Sequence, residues 1–369
     1  MLILCYFMMF FLSTDYYCLS VVQLQKFVLT SNEYRRLLPA LLAAAERRDI
    51  GWSSAVSRDL FTPSFLSTCS AADRTHLATL LGLYDGTHSD SDWWQSAVDT
   101  LSADASANVR AACMHALGIA VQRSSSTWSF ISSRLAVDDA RVGVRQAAWW
   151  AAANLGERLS RDQIETISWL YAAVGRAQDF DASTVRCACS LLLLQTDVDL
   201  SLVSLLRTQL SNGTSAKTRW TAAQAACAAL PALSHAISSD VWCEWTRAVV
   251  AAVCGAEHAK TVQFAVQALV AIAIDEGLAK RPPMSELGVA ERLLDAVDVL
   301  GERLKSATFQ SYGATQRVQR AVVAVIVRTS SVSIGRVAFW AAVDAIAASH
   351  PSMLLVCFFV SLLWYSFCL

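Results

Sequence analysis

A valine–arginine pair that opens an apolar helix recurs along this chain, and the recurrence constrains the fold more than any other feature. It stands at Val109-Arg110 in "VRAACMHALGIAV", at Val144-Arg145 in "VRQAAWWAAANLG" and at Val185-Arg186 in "VRCACSLLLLQ". Looser copies are Thr218-Arg219 in "TRWTAAQAACAAL", Val262-Gln263 in "VQFAVQALVAIAI" and Val318-Gln319 in "VQRAVVAVIVR". The spacing is about 35 to 45 residues until the last copy, which follows the double-proline insertion "KRPPMSELG". A unit repeated at that period cannot bury its apolar face alone and must stack on its neighbours.

Within each copy the apolar positions follow helical spacing. After the opening valine come Cys113, Ala116 and Leu117, then Ala148, Ala151 and Ala152, then Cys189, Leu192 and Leu193, which form one stripe of an amphipathic helix. Small residues in that stripe let neighbouring helices approach closely, and the bulky Trp150 fills the gap they leave. Asp104, Asp139 and Asp181 stand shortly before the first three helices, where a carboxylate can cap the helix or pair with an arginine of the next repeat.

Ahead of each of these second helices lies a first one: "WWQSAVDTLS", "WSFISSRLA", "IETISWLYAAVG", "LSLVSLLRTQLS", "WCEWTRAVVAAV" and "ERLLDAVDVLGERL", each about three turns long. Helix, short turn, helix at this period is the HEAT or armadillo pattern, and tetratricopeptide and ankyrin signatures are absent. The fold class expected is all-α, a right-handed α-solenoid of HEAT/armadillo-like helix pairs. Second helices are predicted to start near residues 109, 144, 185, 218, 262 and 318. The array is assigned to residues 93–350, with "GRVAFWAAVDAIAAS" beginning or capping a seventh pair. Residues 33–92 are read as helical but off register.

The two ends, residues 1–32 and 351–369, are apolar. "MLILCYFMMFFL" lacks the positive region of a secretory signal and is too short to span a bilayer by itself. It is read as a signal or anchor, a packed helix, or a misassigned coding start. The uncharged tail from Met353 to Leu369 would measure roughly 25 Å as a helix, slightly less than a hydrocarbon core. It lacks flanking Lys or Arg. It is a candidate membrane anchor, with a capping helix or a spurious extension as the other readings.

Two segments resemble a known family. "KTRWTAAQAA" resembles the K-V-R-W-x-A-x-x-A helix of the HEAT repeat-containing protein six family through Lys217, Arg219, Trp220, Ala222 and Ala225. "VRQAAWWAAANLG" resembles that family's V-R-x-x-A-x-W-x-x-x-N-L helix through Val144, Arg145, Ala148, Trp150, Asn154 and Leu155. Ala153 stands where the family carries a glycine. The resemblance covers about residues 95–348 and implies a binding scaffold without catalytic activity.

Composition agrees with that class. Hydrophobic residues make up 54% and charged residues 17%, Gly (14) and Pro (6) are few, and helix is favoured throughout. A net charge of −1 gives no bulk attraction to nucleic acid, and none is expected as a partner. Eleven cysteines form no disulfide framework. Cys113, Cys189, Cys227 and Cys254 lie in apolar helical runs, and Cys187 and Cys189 make C-x-C with no histidine pair nearby, so free thiols in a reducing, cytoplasmic setting are expected. The partner reading places membrane association in the tail, residues 353–369. The sequon Asn212-Gly213-Thr214 has meaning only for an array facing a secretory lumen, and the array is read as facing none.

No phosphate-binding, dinucleotide, zinc-protease or nucleophile-elbow motif occurs, and no enzyme activity, cofactor or metal is expected. The six histidines are scattered singly, and His115 is read as structural. Asp197/Asp199 and Asp295/Asp298 are read as a loop and a solvated helix face. Arg110, Arg145, Arg186 and Arg219 recur at one helical position and line one side of a stack of pairs. The favoured reading is a structural ladder with the preceding aspartates. The functional reading is a partner-binding row for an anion or acidic peptide, flanked by Trp149 and Trp220. The function expected is a scaffold that binds another protein through its concave helical face. A membrane-tethered adaptor and a nuclear-transport-like carrier are the alternatives.

Overall fold

The residue that opens each second helix, Val109, Val144, Val185, Thr218 or Val262, is buried. It pins its helix to the neighbours one turn after the cap. The computed structural model describes residues 58–83, 92–123, 128–160, 163–195, 199–255 and 258–274. The two apolar ends, the double-proline insertion, the pair predicted around residues 291 and 318 and the capping segment after it lie outside the described residues.

The described residues form twelve α-helices and no strand. They fall into two compact units, residues 1–177 and 178–369. In the first, a 3-10 turn precedes α1 (Pro63–Thr68), α2 (Ala71–Gly82), α3 (Asp92–Ser102), α4 (Ala107–Arg123), α5 (Trp128–Ser132), α6 (Val142–Gly156) and α7 (Ile164–Arg176). In the second are α8 (Ala182–Leu194), α9 (Leu200–Asn212), α10 (Ala216–Leu233), α11 (Ser239–Gly255) and α12 (Ala259–Ile274). The five second helices expected within these residues, α4, α6, α8, α10 and α12, begin slightly upstream of their predicted starts. At α8 and α10 the caps explain the offset. Asp181 accepts from the Ser183 and Thr184 N–H groups ahead of α8, and Ser215 accepts from Thr218 N–H ahead of α10.

Each unit is a stack of second helices backed by first helices, an all-α helical-repeat fold. In the first unit α2 packs on α4 and α4 on α6, and in the second α8 packs on α10 and α10 on α12. Of the nine stripe positions named from the first three copies, eight are buried. Leu193 is the exception, 36% exposed near the last turn of α8. Of the segment 33–92, read as helical but off register, the described part places α2 against α4. α2 belongs to the row of second helices, begun by a capping box in which Ser70 and Asp73 bond each other's backbone N–H.

Close approach between second helices comes from glycine. A Cβ on Gly82, at the end of α2, would lie 2.5 Å from Ala116 Cα of α4. A Cβ on Gly118 of α4 would lie 2.4 Å from the Trp150 ring and 3.0 Å from Ala151 Cα of α6. Trp150 thus lies in the space that Gly118 leaves, and its other neighbour is the His115 ring, 5.2 Å away between centroids.

Among the first helices, α3, α7, α9 and α11 match expectation and α5 does not. The segment "WSFISSRLA" is helical for only five residues. The Ser132 and Ser133 hydroxyls donate back to the Ser129 and Phe130 carbonyls. Such local bonds compete with helix extension, and the chain then buries Leu135 and Val137 in a turn instead.

Candidate functional site

The recurrent arginine bonds a loop carbonyl in each repeat of the first unit, and Arg74 and Arg110 also bond a carboxylate of the next repeat. Arg110 sends Nε and Nη2 to the two carboxylate oxygens of Asp139, at 2.8 and 3.1 Å, and Nη1 to the Asp104 carbonyl at 2.8 Å. Arg74 sends Nε and Nη2 to Asp104 at 2.6 and 3.1 Å, and Nη1 to the Cys69 carbonyl. Arg145 repeats the carbonyl half, with Nη1 on the Asp139 carbonyl at 2.7 Å. Each aspartate also accepts from the backbone N–H two residues on, Ser106 or Arg141. One carboxylate therefore turns the loop into its own helix and clamps the guanidinium of the repeat before it.

The direction differs from the sequence expectation. The carboxylates of Asp104 and Asp139 each meet the arginine of the preceding repeat, not that of the following one. The carboxylate reaches back, and the helix's own arginine takes the loop carbonyl. The reason is geometric: the backbone N–H bond fixes the carboxylate plane at the loop, where the guanidinium of the preceding second helix approaches edge-on and bidentate.

Electrostatics follow the geometry. Arg110's hydrogen bonds hold the Asp139 carboxyl below its ordinary value, against the effect of its burial, with further help from the Arg141 N–H and the charges of Arg110 and Arg145. At Asp104 burial is the largest influence and acts upward. The Arg74 bonds, the Ser106 N–H and the charges of Arg74 and Arg110 outweigh it and leave this carboxyl low as well. The side chains stay partly wet, with 9% exposure at Asp104 and 12% at Asp139.

Arg74 was missed in the sequence because aspartate, not valine, precedes it. The available signal was spacing: Arg74 lies 30 residues before Asp104, and Arg110 lies 29 before Asp139. Trp149 is a second correction. It is 3% exposed and faces the core, so it cannot flank a binding row. The outward neighbour is Trp150.

In the second unit the arrangement changes. Arg219 donates Nη1 to the Gly213 carbonyl at 2.9 Å, as Arg110 does to Asp104 and Arg145 to Asp139. The position that carries a carboxylate in the first unit is thus a glycine here. It cannot readily carry a side chain, since a Cβ at 213 would lie 2.5 Å from the Gln209 carbonyl oxygen. Next to Arg219, the half-buried Trp220 stacks on Phe264 of α12, with centroids 5.8 Å apart and planes 22° apart. Lys260 Nζ stands 5.2 Å from the Trp220 ring. Burial first, then the charges of Lys260 and Arg219, lower the His258 imidazole below its ordinary value. Lys260 and Phe264 carried no sequence signal, because only the fold brings α12 against α10. Arg186 lies half-buried on α8 in the same unit.

The seven described cysteines are thiols rather than disulfides, and burial, with a smaller effect from Asp99, pushes the Cys113 thiol up to about 12. No group of three or more His, Cys, Asp or Glu gathers at metal-binding distance among the described residues. Among the same residues no helix is long and apolar enough to cross a membrane, and the tail 353–369 lies outside them.

In sequence, the chain matches no protein-family profile and no curated protein. Among solved structures, the crystal structure of an engineered protein is similar at 15% identity, over 81% of this chain and 90% of that one, with a TM-score of 0.36.

Proposed function

We propose that this chain is a non-enzymatic, HEAT-type scaffold that binds another protein through the outward face of its second helices. The observation that carries this reading is the Trp220–Phe264 stack beside Lys260, kept half-exposed on α10 and α12. A stack of helix pairs gains more from burying such rings than from leaving them at the surface, and exposed aromatics beside cations are characteristic of binding hot spots. The ladder of the first unit supports a scaffold in another way, by fixing each repeat against the next.

The test compares two bulky substitutions in the full chain, one on a second helix and one on a first helix. Ala228→Trp lies at an exposed position of α10, and Ser204→Trp at an exposed position of the first helix α9. Tagged wild-type and variant chains are purified from cells and their co-purifying proteins identified by mass spectrometry. Partners lost with Ala228→Trp and kept with Ser204→Trp are the expected result. The reverse pattern, or one partner set unaffected by either, overturns the reading. Carbonate extraction of the same tagged chain reports separately on a membrane tether through residues 353–369.

A further inference from the structure

The stretch Asn212-Gly213-Thr214 belongs to the junction between α9 and α10. Asn212 is the last residue of α9 and is exposed, while Gly213 caps the helix and is buried. The other asparagines of the chain, Asn32, Asn108 and Asn154, are followed by Glu, Val and Leu. Asn212 alone precedes a glycine.

That neighbour decides how durable the side-chain amide is. Asparagine is among the thermally labile residues. Its loss of ammonia requires the next backbone nitrogen to swing onto Cγ, and a side chain on the next residue hinders the swing. Glycine carries none and leaves the backbone free to turn. In the folded chain two bonds oppose that turn. The Gly213 N–H donates to the Gln209 carbonyl at 3.0 Å and closes the last turn of α9. On the other side of the residue, the Gly213 carbonyl accepts from Arg219 Nη1 at 2.9 Å. The stem of Arg219 also covers the glycine, since a Cβ there would lie 3.0 Å from Arg219 Cγ. A nitrogen whose hydrogen is engaged, behind a residue held in a helix, is not free to attack.

We propose that Asn212 is a site of spontaneous deamidation and that Arg219 is the latch that holds it shut. The Gly213 nitrogen gives up its proton to solvent base and bonds to Asn212 Cγ. The Cγ–Nδ2 bond breaks, and the amide nitrogen leaves as ammonia with a proton returned from solvent. Water then opens the cyclic imide at either carbonyl, which leaves aspartate or isoaspartate at position 212. The reaction proceeds when the last turn of α9 frays, a local opening that costs less than unfolding the unit. Isoaspartate adds one carbon to the backbone and carries the Gly213 carbonyl away from Arg219, so the product keeps the junction open. The arginine that fixes this loop thereby protects a chemically weak link. This inference does not depend on the scaffold reading, and it requires no particular compartment.

The experiment incubates the full chain, purified from cells, in mildly alkaline buffer and digests it in weak acid. Mass spectrometry then follows the amide, aspartate and isoaspartate forms of the peptide that spans position 212. Conversion is expected first at 212, at least about tenfold slower in the folded chain than in urea-unfolded chain, and rising at urea concentrations below the global midpoint. Arg219→Gln, with its melting followed in parallel, should speed conversion of the folded chain severalfold, and Arg110→Gln in the first unit should not. Should Arg219→Gln fail to fold, the urea series on the wild-type chain still decides, because a rate that rises only with global unfolding removes the local latch. Equal rates in the folded and unfolded chains, a folded Arg219→Gln chain as slow as wild type, or earlier conversion at another asparagine overturns the proposal. So does a glycan on Asn212 in the purified chain, since its amide nitrogen is then no longer free to leave.

Discussion

At the scale of single residues, Asp139 joins two repeats through one carboxylate. Its bonds to Arg110 are charge-assisted and bidentate, a class worth about 1.5–3 kcal/mol when dry and about 1 kcal/mol or less at the surface. With side chains 12% and 18% exposed, the pair lies between those limits. Asp139→Asn should therefore lower stability by about 1–2 kcal/mol, read by urea unfolding at neutral pH. The pH dependence has a definite sign. Both Asp104 and Asp139 carry carboxyls held low in the folded state, so their contribution is complete above the unfolded value of about 3.9 and fades as pH falls through the folded value. The gap between wild type and Asp139→Asn should close in acid. A gap that persists or widens below that range would contradict the ladder. The arginines and aspartates were legible in the sequence as types and spacings. Which arginine reaches which carboxylate was not, because the loop hydrogen bond that orients the acid is a feature of backbone geometry.

Whole helices show what spacing rules can and cannot deliver. The five second helices were readable because an apolar stripe of period 3.6 survives changes in the individual residues. The short α5 was not, because two serines can either continue a helix or end it, and packing of Leu135 and Val137 decides. α2 was readable only by its partner: the aspartate in front of Arg74 serves a capping box and hides the repeat signature. Helix-to-helix distance gives a test at this scale. Ala is ordinarily the better helix residue by about 1 kcal/mol, so an open glycine replaced by alanine gains stability. Gly82→Ala should do the opposite and cost about 1–3 kcal/mol, since its Cβ would meet the backbone of Ala116. Gly118→Ala should cost less, because the Trp150 ring can move where a backbone cannot. Gly143, which has nothing within 4 Å, is the control and should show no such loss. Thermal melts of the three variants check the order.

For the molecule as a whole, the repeat class was legible and the difference between the loops of the two units was not. Sequence reading treated Arg110, Arg145, Arg186 and Arg219 as one row. Arg110 and Arg145 belong to a unit that supplies them with loop carbonyls and, at Arg110, a carboxylate. Arg219 also takes a loop carbonyl, but from Gly213, which stands where Asp104 and Asp139 stand in the first unit, and a glycine reads as a turn residue until its loop is seen in place. The interlock of the first unit has a further consequence for how such a chain can grow. A stretch from Asp104 to Asp138 carries a socket at its entrance and a plug at Arg110, and the plug fits any repeat that begins with the same socket. Tandem duplication of that stretch would be self-sealing: Arg74 would still find an aspartate, Arg110 would find the copy's aspartate, and the copy's arginine would find Asp139. At the new seam the copy's His115, at the position equivalent to Trp150, would take that residue's place opposite Gly118. A chain lengthened in this way should fold with more helix by circular dichroism and a steeper urea dependence, having gained a repeat with no new contact to design.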